Sequence, residues 1–374
     1  MHKNSFQSIC INLTLHRNSC FTENYFALVL KLFELFLLLL NSSVPFYINY
    51  MHAISQYQQT ISDYFEHLNW KKKPENLYEP INYILSLGGK RMRPILTLMA
   101  TDVFNGDCKL AIPAATAIEI FHNFSLVHDD IMDDAPLRRG NETVHEKWDI
   151  NTAILSGDAM LILAYQHFEE YEPAVFRDLA KLFSKTALEV CEGQQYDVDF
   201  ETRNNVTITE YLKMITYKTA VLVAAALKMG AIVAQTTKEN CELIYDFGLN
   251  LGIAFQLQDD FLDAFGDPET FGKQVGGDII ENKKTYLFLK AKEFSLDGQK
   301  EQLNHLFSIH PSDNFEKIAL VKSIFNETGA SEATKTAIEE YTLKALETLN
   351  QMDIAEDKKE VLRNFGKQLM SRKV

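Results

Sequence analysis

From Ser55 onward, apolar residues recur at three- and four-residue steps. The rhythm is plain in "AATAIEIFHNFSLVHDDIM", "TAILSGDAMLILAYQHF" and "TAVLVAAALKMGAIVA". That period marks helices with one buried face. No long alternating run predicts a strand. Prolines and glycines fall mostly between the apolar segments, as at Gly88-Gly89, Pro94, Pro136, Gly140, Gly266, Pro268, Gly276-Gly277 and Pro311. Those are the places where helices stop and start. Long apolar helices with short connections predict an all-α, single-domain bundle of about ten or more helices around one core. No linker rich in Ser, Gly or Pro divides the chain, so one domain over residues 51–374 is expected.

Residues 1–50 break this pattern. "YFALVLKLFELFLLLL", Tyr25 to Leu40, is apolar but holds Lys31 and Glu34. It is shorter than the about 20 residues of a membrane span. Its charge lies inside the apolar run, and no clear cleavage signal follows, unlike a signal peptide. The segment reads as an N-terminal extension, either helical or lying upstream of a natural start at Met51. Membrane contact is expected only if residues 25–40 form an anchor.

Composition narrows the function classes. Hydrophobic residues make up 46% and charged residues 24%, enough for a sizeable core. The net charge of −14 argues against a nucleic-acid binder, which needs a basic footprint. The five cysteines are scattered with no CxxC pair, so a disulfide framework and a zinc site are both disfavoured and a cytoplasmic location is expected.

The negative charge is unevenly spread. "VHDDIMDDA" at Val127 is echoed by "LQDDFLDAF" at Leu257. On a helix, Asp129 and Asp133 share a face, as do Asp259 and Asp263. Asp130 and Asp134 would form a second pair, turned by about 100°. Asp260 stands beside its own pair. Like charges at this spacing destabilise a helix. A solvated acidic face is the ordinary reading of one such cluster. Two near-identical clusters, each ending an apolar segment, favour bound cations instead. Oxygen-only ligands suit Mg2+, with Mn2+ as an alternative. The calcium-loop spacing D-x-D-x-D-G is absent, and "HEKWD" is not a zinc-protease HExxH.

Basic residues flank the aspartates. "GGKRMRP" supplies Lys90, Arg91 and Arg93, and "PLRRG" supplies Arg138 and Arg139. "FGKQVGGDIIENKKT" supplies Lys273, Lys283 and Lys284, the last read as a surface residue. Lys218 precedes an apolar run and is expected to be partly buried. Arginine suits bidentate phosphate contacts and lysine point-charge neutralisation. No Walker loop is present. The combination predicts a diphosphate held through cations bound by aspartate and by direct basic contacts.

"DDIMD" with "LRRG", then "KT", "FQLQDDFLD" and "GK…GGD…NKKT", resembles the trans-isoprenyl diphosphate synthases, or polyprenyl synthetases, of the short-chain farnesyl and geranylgeranyl type. The resemblance implies an isoprenoid synthase fold around a deep central cavity, usually in a homodimer. It implies three Mg2+ per active site with substrate bound, and isopentenyl and allylic diphosphates as substrates. Asp129, Asp130, Asp133, Asp259, Asp260 and Asp263 match the metal positions. Arg138, Lys218 and Lys273 match positions holding the allylic diphosphate. Gly89, Lys90, Arg93, His122 and Arg139 match the isopentenyl diphosphate pocket. Thr219 and Gln256 match positions near the reacting carbons, and Lys283 a second lysine of the late motif. The implied reaction is head-to-tail condensation.

Two other readings are open. A class I terpene cyclase shares the first motif, but its second normally mixes Asn, Ser and Glu, and it needs no isopentenyl site. A non-catalytic subunit of another synthase usually loses aspartates or arginines that are all present here.

The resemblance also bears on product length. Phe121, Phe124 and Ser125 precede Asp129 where, in the family, bulky residues stop the growing chain. Phe124 with Ser125 resembles the geranylgeranyl (C20) pattern, and the first motif lacks the two-residue insertion of bacterial farnesyl (C15) synthases. A helical wheel places Phe121 and Ser125 nearest Asp129, with Phe124 about 140° away. Phe124→Ala and Phe121→Ala are each expected to lengthen the product; an unchanged product ladder in both variants removes this floor.

Overall fold

The computed structural model describes residues 54–266 and 275–371. The apolar run at 25–40 and Lys273 lie outside the described residues. The chain divides between Ser55 and Gln56, and the fold below is that of the part from Gln56 onward.

Helices follow one another with short connections. They are α1 (54–67), α2 (Glu75–Ser86), α3 (Met92–Val103), α4 (Cys108–Met132), α5 (Val144–Lys147), α6 (Ile150–Gln166), α7 (Pro173–Thr202), α8 (Ile208–Ile215), α9 (Val221–Val233) and α10 (Lys238–Phe265). The C-terminal part adds α11 (Gly277–Ile280), α12 (Tyr286–Phe294), α13 (Asp297–Leu306), α14 (Phe315–Glu327), α15 (Ala330–Gln351) and α16 (Glu356–Met370). The all-α expectation holds. Among the described residues, the β structure is one hairpin pairing Leu137–Arg138 with Asn141–Glu142.

Helix starts follow local chemistry. Asp107, Asp149 and Thr237 cap α4, α6 and α10 by accepting backbone N–H groups, and Thr207 with Glu210 forms a capping box on α8. α4 and α10 both pack against α9 in the core.

The centre of the bundle is α9, packed against α3, α7 and α10. Its sequence "VLVAAALKMGAIV" is small enough for backbones to approach closely. A Cβ on Gly230 would lie 2.2 Å from the Thr97 carbonyl oxygen, and one on Gly248 of α10 would lie 2.8 Å from the Ala224 Cα. Threonines of α3 tie the contact polarly: Thr97 Oγ1 donates to Ala226 O at 3.0 Å and Thr101 Oγ1 to Gly230 O at 3.2 Å. Immediately before α9 the chain widens into a single π-helical turn, Thr216–Ala220. Such bulges reorient side chains within a helix and recur at functional sites.

One sequence expectation is corrected by where α4 ends. The helix stops at Met132 with Asp133 as its C-cap, and Asp134 takes a left-handed φ of 49°. Asp130 and Asp134 therefore do not form a pair along one helical face. Pro136 follows two residues after Asp134, and the restriction it places on Ala135 keeps the helix from resuming before the hairpin.

Gly230→Ala is expected to destabilise the fold by about 1–3 kcal/mol, because the new methyl meets rigid backbone. Gly298→Ala, with nothing within 4 Å of its Cβ position, is the control. A urea midpoint for Gly230→Ala equal to that of Gly298→Ala would refute this close packing.

Candidate active site

Both aspartate clusters lie at helix C-termini. Asp129 and Asp130 occupy the last turn of α4, and Asp259, Asp260 and Asp263 the last two turns of α10. Neither helix has a basic residue in its last turn. The helix dipole is negative there, so the sites are electrostatically unfavourable for carboxylates.

Within each cluster, the second aspartate turns inward. Asp130 is fully buried, and its Oδ1 accepts from Arg138 Nε at 2.9 Å and pairs with a second guanidinium nitrogen. Asp260 is buried too. It accepts from the Tyr211 hydroxyl and from Gln256 Nε2 at 2.9 Å. Burial, then Asp278, holds the Asp260 carboxyl well above the usual range. Asp129 is partly exposed, and burial, opposed by Lys218 and assisted by Asp133, pushes it up to about 6. Asp263 Oδ2 accepts from the Asp278 backbone N–H at 3.0 Å. Burial and the Asp263 charge push Asp278 up to about 7.

A residue that sequence reasoning missed connects the clusters. Asp197 of α7 accepts from Lys218 Nζ at 2.6 Å. Its charge acts on Asp129 on one side and on Asp278 and Lys283 on the other. Asp197 therefore carries its charge near both clusters. The clue was Gly193, one turn before Asp197: a Cβ there would lie 2.2 Å from the Lys218 backbone nitrogen, so α7 lies directly on the π turn. Lys218 is largely buried, which opposes its charge, yet Asp197 and Asp129 hold its pKa above the usual value. Beside it, Thr219 Oγ1 donates to Gln256 Oε1 at 2.9 Å. A continuous chain therefore runs from Thr219 through Gln256 to Asp260 and Tyr211.

The arginines of "RRG" diverge because they sit on the hairpin. Arg138 turns to Asp130, whereas Arg139, at φ 55°, donates to the Gly88 carbonyl. A Cβ on Gly89 would lie 2.8 Å from Arg139 Cζ, at the flexible end of that side chain, and it is the φ of 128° there that favours glycine. Arg93 and His122 lie nearby. Burial, then Arg93 and Arg139, pushes His122 well below its usual pKa, which leaves the ring neutral. Glu119, also missed from the sequence, is buried among these cations. Lys90 is exposed and lines a cleft of about 890 Å³ with Gly88, Gly89 and Arg91.

In the late motif, Lys283 pairs with Glu281 at 2.8 Å. Lys284 is not the surface residue expected. Its ammonium donates to Phe200 O at 2.7 Å and Glu201 O at 2.9 Å, in the last turn of α7, where free carbonyls favour a cation.

Aspartate oxygens from two helices, with no sulfur or imidazole among them, make a hard donor set suited to Mg2+. A family model for polyprenyl synthetase matches residues 74–327. The chain belongs to the polyprenyl synthetase family. It resembles a crystal structure of a geranylgeranyl pyrophosphate synthase, with a TM-score of 0.82 and 53% identity over 86% of this chain and 99% of that one. The geranylgeranyl diphosphate synthase of Methanosarcina mazei is 42% identical over 223 residues, which is 59% of this chain and 69% of the relative. The geranylfarnesyl diphosphate synthase of Natronomonas pharaonis is 38% identical over 279 residues, 70% of this chain and 80% of the relative.

In this polyprenyl synthetase, the apolar side of α4 before Asp129 is aromatic. Phe121 and Phe124 are buried, with ring centroids 5.4 Å apart, and Phe121 lies 5.1 Å from Phe183 of α7. Phe124 lies 4.8 Å from the His128 ring. Gly157 of α6 makes room for that ring, since a Cβ there would lie 2.2 Å from His128 Nε2. Ser125 is half-buried and donates to His122 O at 2.8 Å.

The raised carboxyls set a pH dependence. Asp129 at about 6 binds its proton more tightly in the folded state than an unfolded aspartate, near 3.9, does. The folded state therefore holds more protons between those values, and stability falls as pH rises. With Asp278 at about 7, the metal-free protein is expected to lose stability from about pH 4 to 7. Asp129→Asn is expected to flatten this slope. Urea midpoints in EDTA that rise through the window, or that fall equally in the variant, would contradict the assignment.

Proposed function

We propose that this protein is a Mg2+-dependent prenyltransferase that condenses isopentenyl diphosphate head-to-tail with allylic diphosphates to give a C20 product. What supports this reading is the pair of aspartate clusters at helix C-termini, with Asp197 charged near both and basic groups beside them. The likeness to geranylgeranyl diphosphate synthases supports the product length.

In this reading Asp129, Asp133, Asp259 and Asp263 hold the metals, three per site with substrate bound, and Mn2+ substitutes for Mg2+. Asp130 and Asp260 act from behind, by fixing Arg138 and Gln256. Bound Mg2+ supplies positive charge to the leaving diphosphate. Arg138, Lys218 and Lys283, with Lys273 of the same motif, neutralise what remains of that charge. Lys90, Arg93, Arg139 and Gly89 hold the isopentenyl diphosphate, with His122 as a neutral hydrogen-bonding group. As the allylic C–O bond breaks, the Thr219 hydroxyl and the Gln256 amide direct their dipoles at the developing cation. The isopentenyl double bond attacks that carbon, and the proton released passes to the departing diphosphate. Phe121 and Phe124 end the space for the chain, with Ser125 beside them.

We assign the catalytic domain to residues 51–374, with 1–50 as an extension. A homodimer fits the apolar side chains that α6 exposes at Ile150, Ile154, Leu155 and Ile162. We place the protein in the cytoplasm. α4 and the segment Ile208–Val233 are long and apolar enough to cross a membrane, but both are mostly buried inside the bundle.

The test is one assay with Mg2+, isopentenyl diphosphate and dimethylallyl, geranyl or farnesyl diphosphate, followed by chain-length analysis. Isopentenyl diphosphate is expected to be consumed to a C20 product, EDTA to abolish turnover, and the enzyme to sediment as a dimer. A hydrocarbon formed without isopentenyl diphosphate would indicate a cyclase, and turnover only with a second protein a subunit.

A further inference from the structure

The segment from Gly276 to Thr285 carries Asp278 and Lys283 to the rim of the second aspartate cluster. Its near end is tied to that cluster. The Gly276 N–H donates to Asp263 O at 2.6 Å, and the Asp278 N–H to Asp263 Oδ2 at 3.0 Å.

The far end is held by α14. Lys317 is only 3% exposed, which is rare for a lysine. Its ammonium has three N–H donors, and three acceptors surround it: Asn282 Oδ1 at 2.7 Å, Ile309 O at 3.1 Å and Ile280 O at 3.3 Å. None of the three is a carboxylate. Two of them belong to the segment that carries Asp278 and Lys283. The third, Ile309 O, also accepts from Asn282 Nδ2 at 3.4 Å, and that amide lies 3.1 Å from His310 Nε2. Asn282 has a left-handed φ of 59°, so its side chain turns back toward α14. The next residue of α14 adds an apolar contact, since a Cβ on Gly276 would lie 3.1 Å from the Ile318 side chain.

An ammonium buried to this extent costs stability unless every donor is satisfied. A methionine would fill the same volume without that cost. What the ammonium provides is a direct bond from a rigid helix to two points of a segment with little core of its own.

We propose that Lys317 is a positioning residue that clamps the Gly276–Thr285 segment to α14, and so fixes Asp278 and Lys283 toward the allylic diphosphate. This rests on the reading of the aspartate clusters as the diphosphate site. Lys317 touches neither substrate. It acts through the backbone of Ile280 and the side chain of Asn282.

The test compares Lys317→Met, Asn282→Gly and Asn282→Asp with wild type. Glycine tolerates the left-handed φ and deletes both the acceptor and the Nδ2 donor, whereas aspartate keeps the acceptor for Lys317 and loses only the donor. Lys317→Met and Asn282→Gly are expected to raise KM for the allylic diphosphate and the half-saturating Mg2+ concentration about tenfold. KM for isopentenyl diphosphate stays within about twofold, and Asn282→Asp recovers most of the loss. Amide exchange is expected to quicken over residues 279–285 and to remain unchanged in α9. The inference is overturned if both variants keep wild-type allylic KM, if both KM values rise together, or if exchange quickens throughout the molecule. If Lys317→Met does not fold, the asparagine pair decides. If wild type itself fails to consume isopentenyl diphosphate, the functional reading fails, while the exchange measurement still judges the clamp.

Discussion

Negative charge gathered at two helix C-termini is the constraint around which this structure is arranged. Helix dipoles oppose carboxylates at those ends, and burial opposes them further. The chain answers with specific partners. Arg138 takes the buried Asp130, the Tyr211 hydroxyl and the Gln256 amide take Asp260, and the Asp278 N–H takes Asp263. Each of these bonds orients the carboxylates beside it. What they leave is a rim whose Asp129 and Asp278 carboxyls are raised, first by burial and then by the neighbouring Asp133 and Asp263 charges.

Holding such a rim in place requires a rigid frame. Small residues along α9 let α3, α7 and α10 approach to backbone distance, and a well-packed core of this kind resists deformation. The π turn ahead of α9 is fixed on one side by Gly193 of α7 and on another by Gly252 of α10, whose Cβ would lie 2.7 Å from the Ala220 Cα. Lys218 and Thr219 are carried on that turn. The electrostatic centre and the packing centre therefore share one element.

Much of this was legible in the residues. Helical periodicity predicted the fold class, and the paired Asp-Asp-x-x-Asp runs marked the candidate site, because both signals are local. The spacing did not show that Asp130 and Asp260 are buried and bonded to neighbours. Arg138 and Arg139 are neighbours in sequence but part company on a hairpin only two residues long on each strand. Asp197 and Glu119 carry no motif spacing of their own. Lys284 and Lys317 look like surface lysines, but Lys284 satisfies carbonyls of α7 and Lys317 that of Ile280, 37 residues away.

The sequence alone determined that helices would form and that two apolar helices would end in excess negative charge, since periodicity and charge spacing act within a few residues. Only the tertiary structure decided which carboxylates are buried against partners and which stay partly exposed. That choice depends on burial and on partners from 4 to 49 residues away, and it is the packing of helices and hairpin, not the spacing, that sets both.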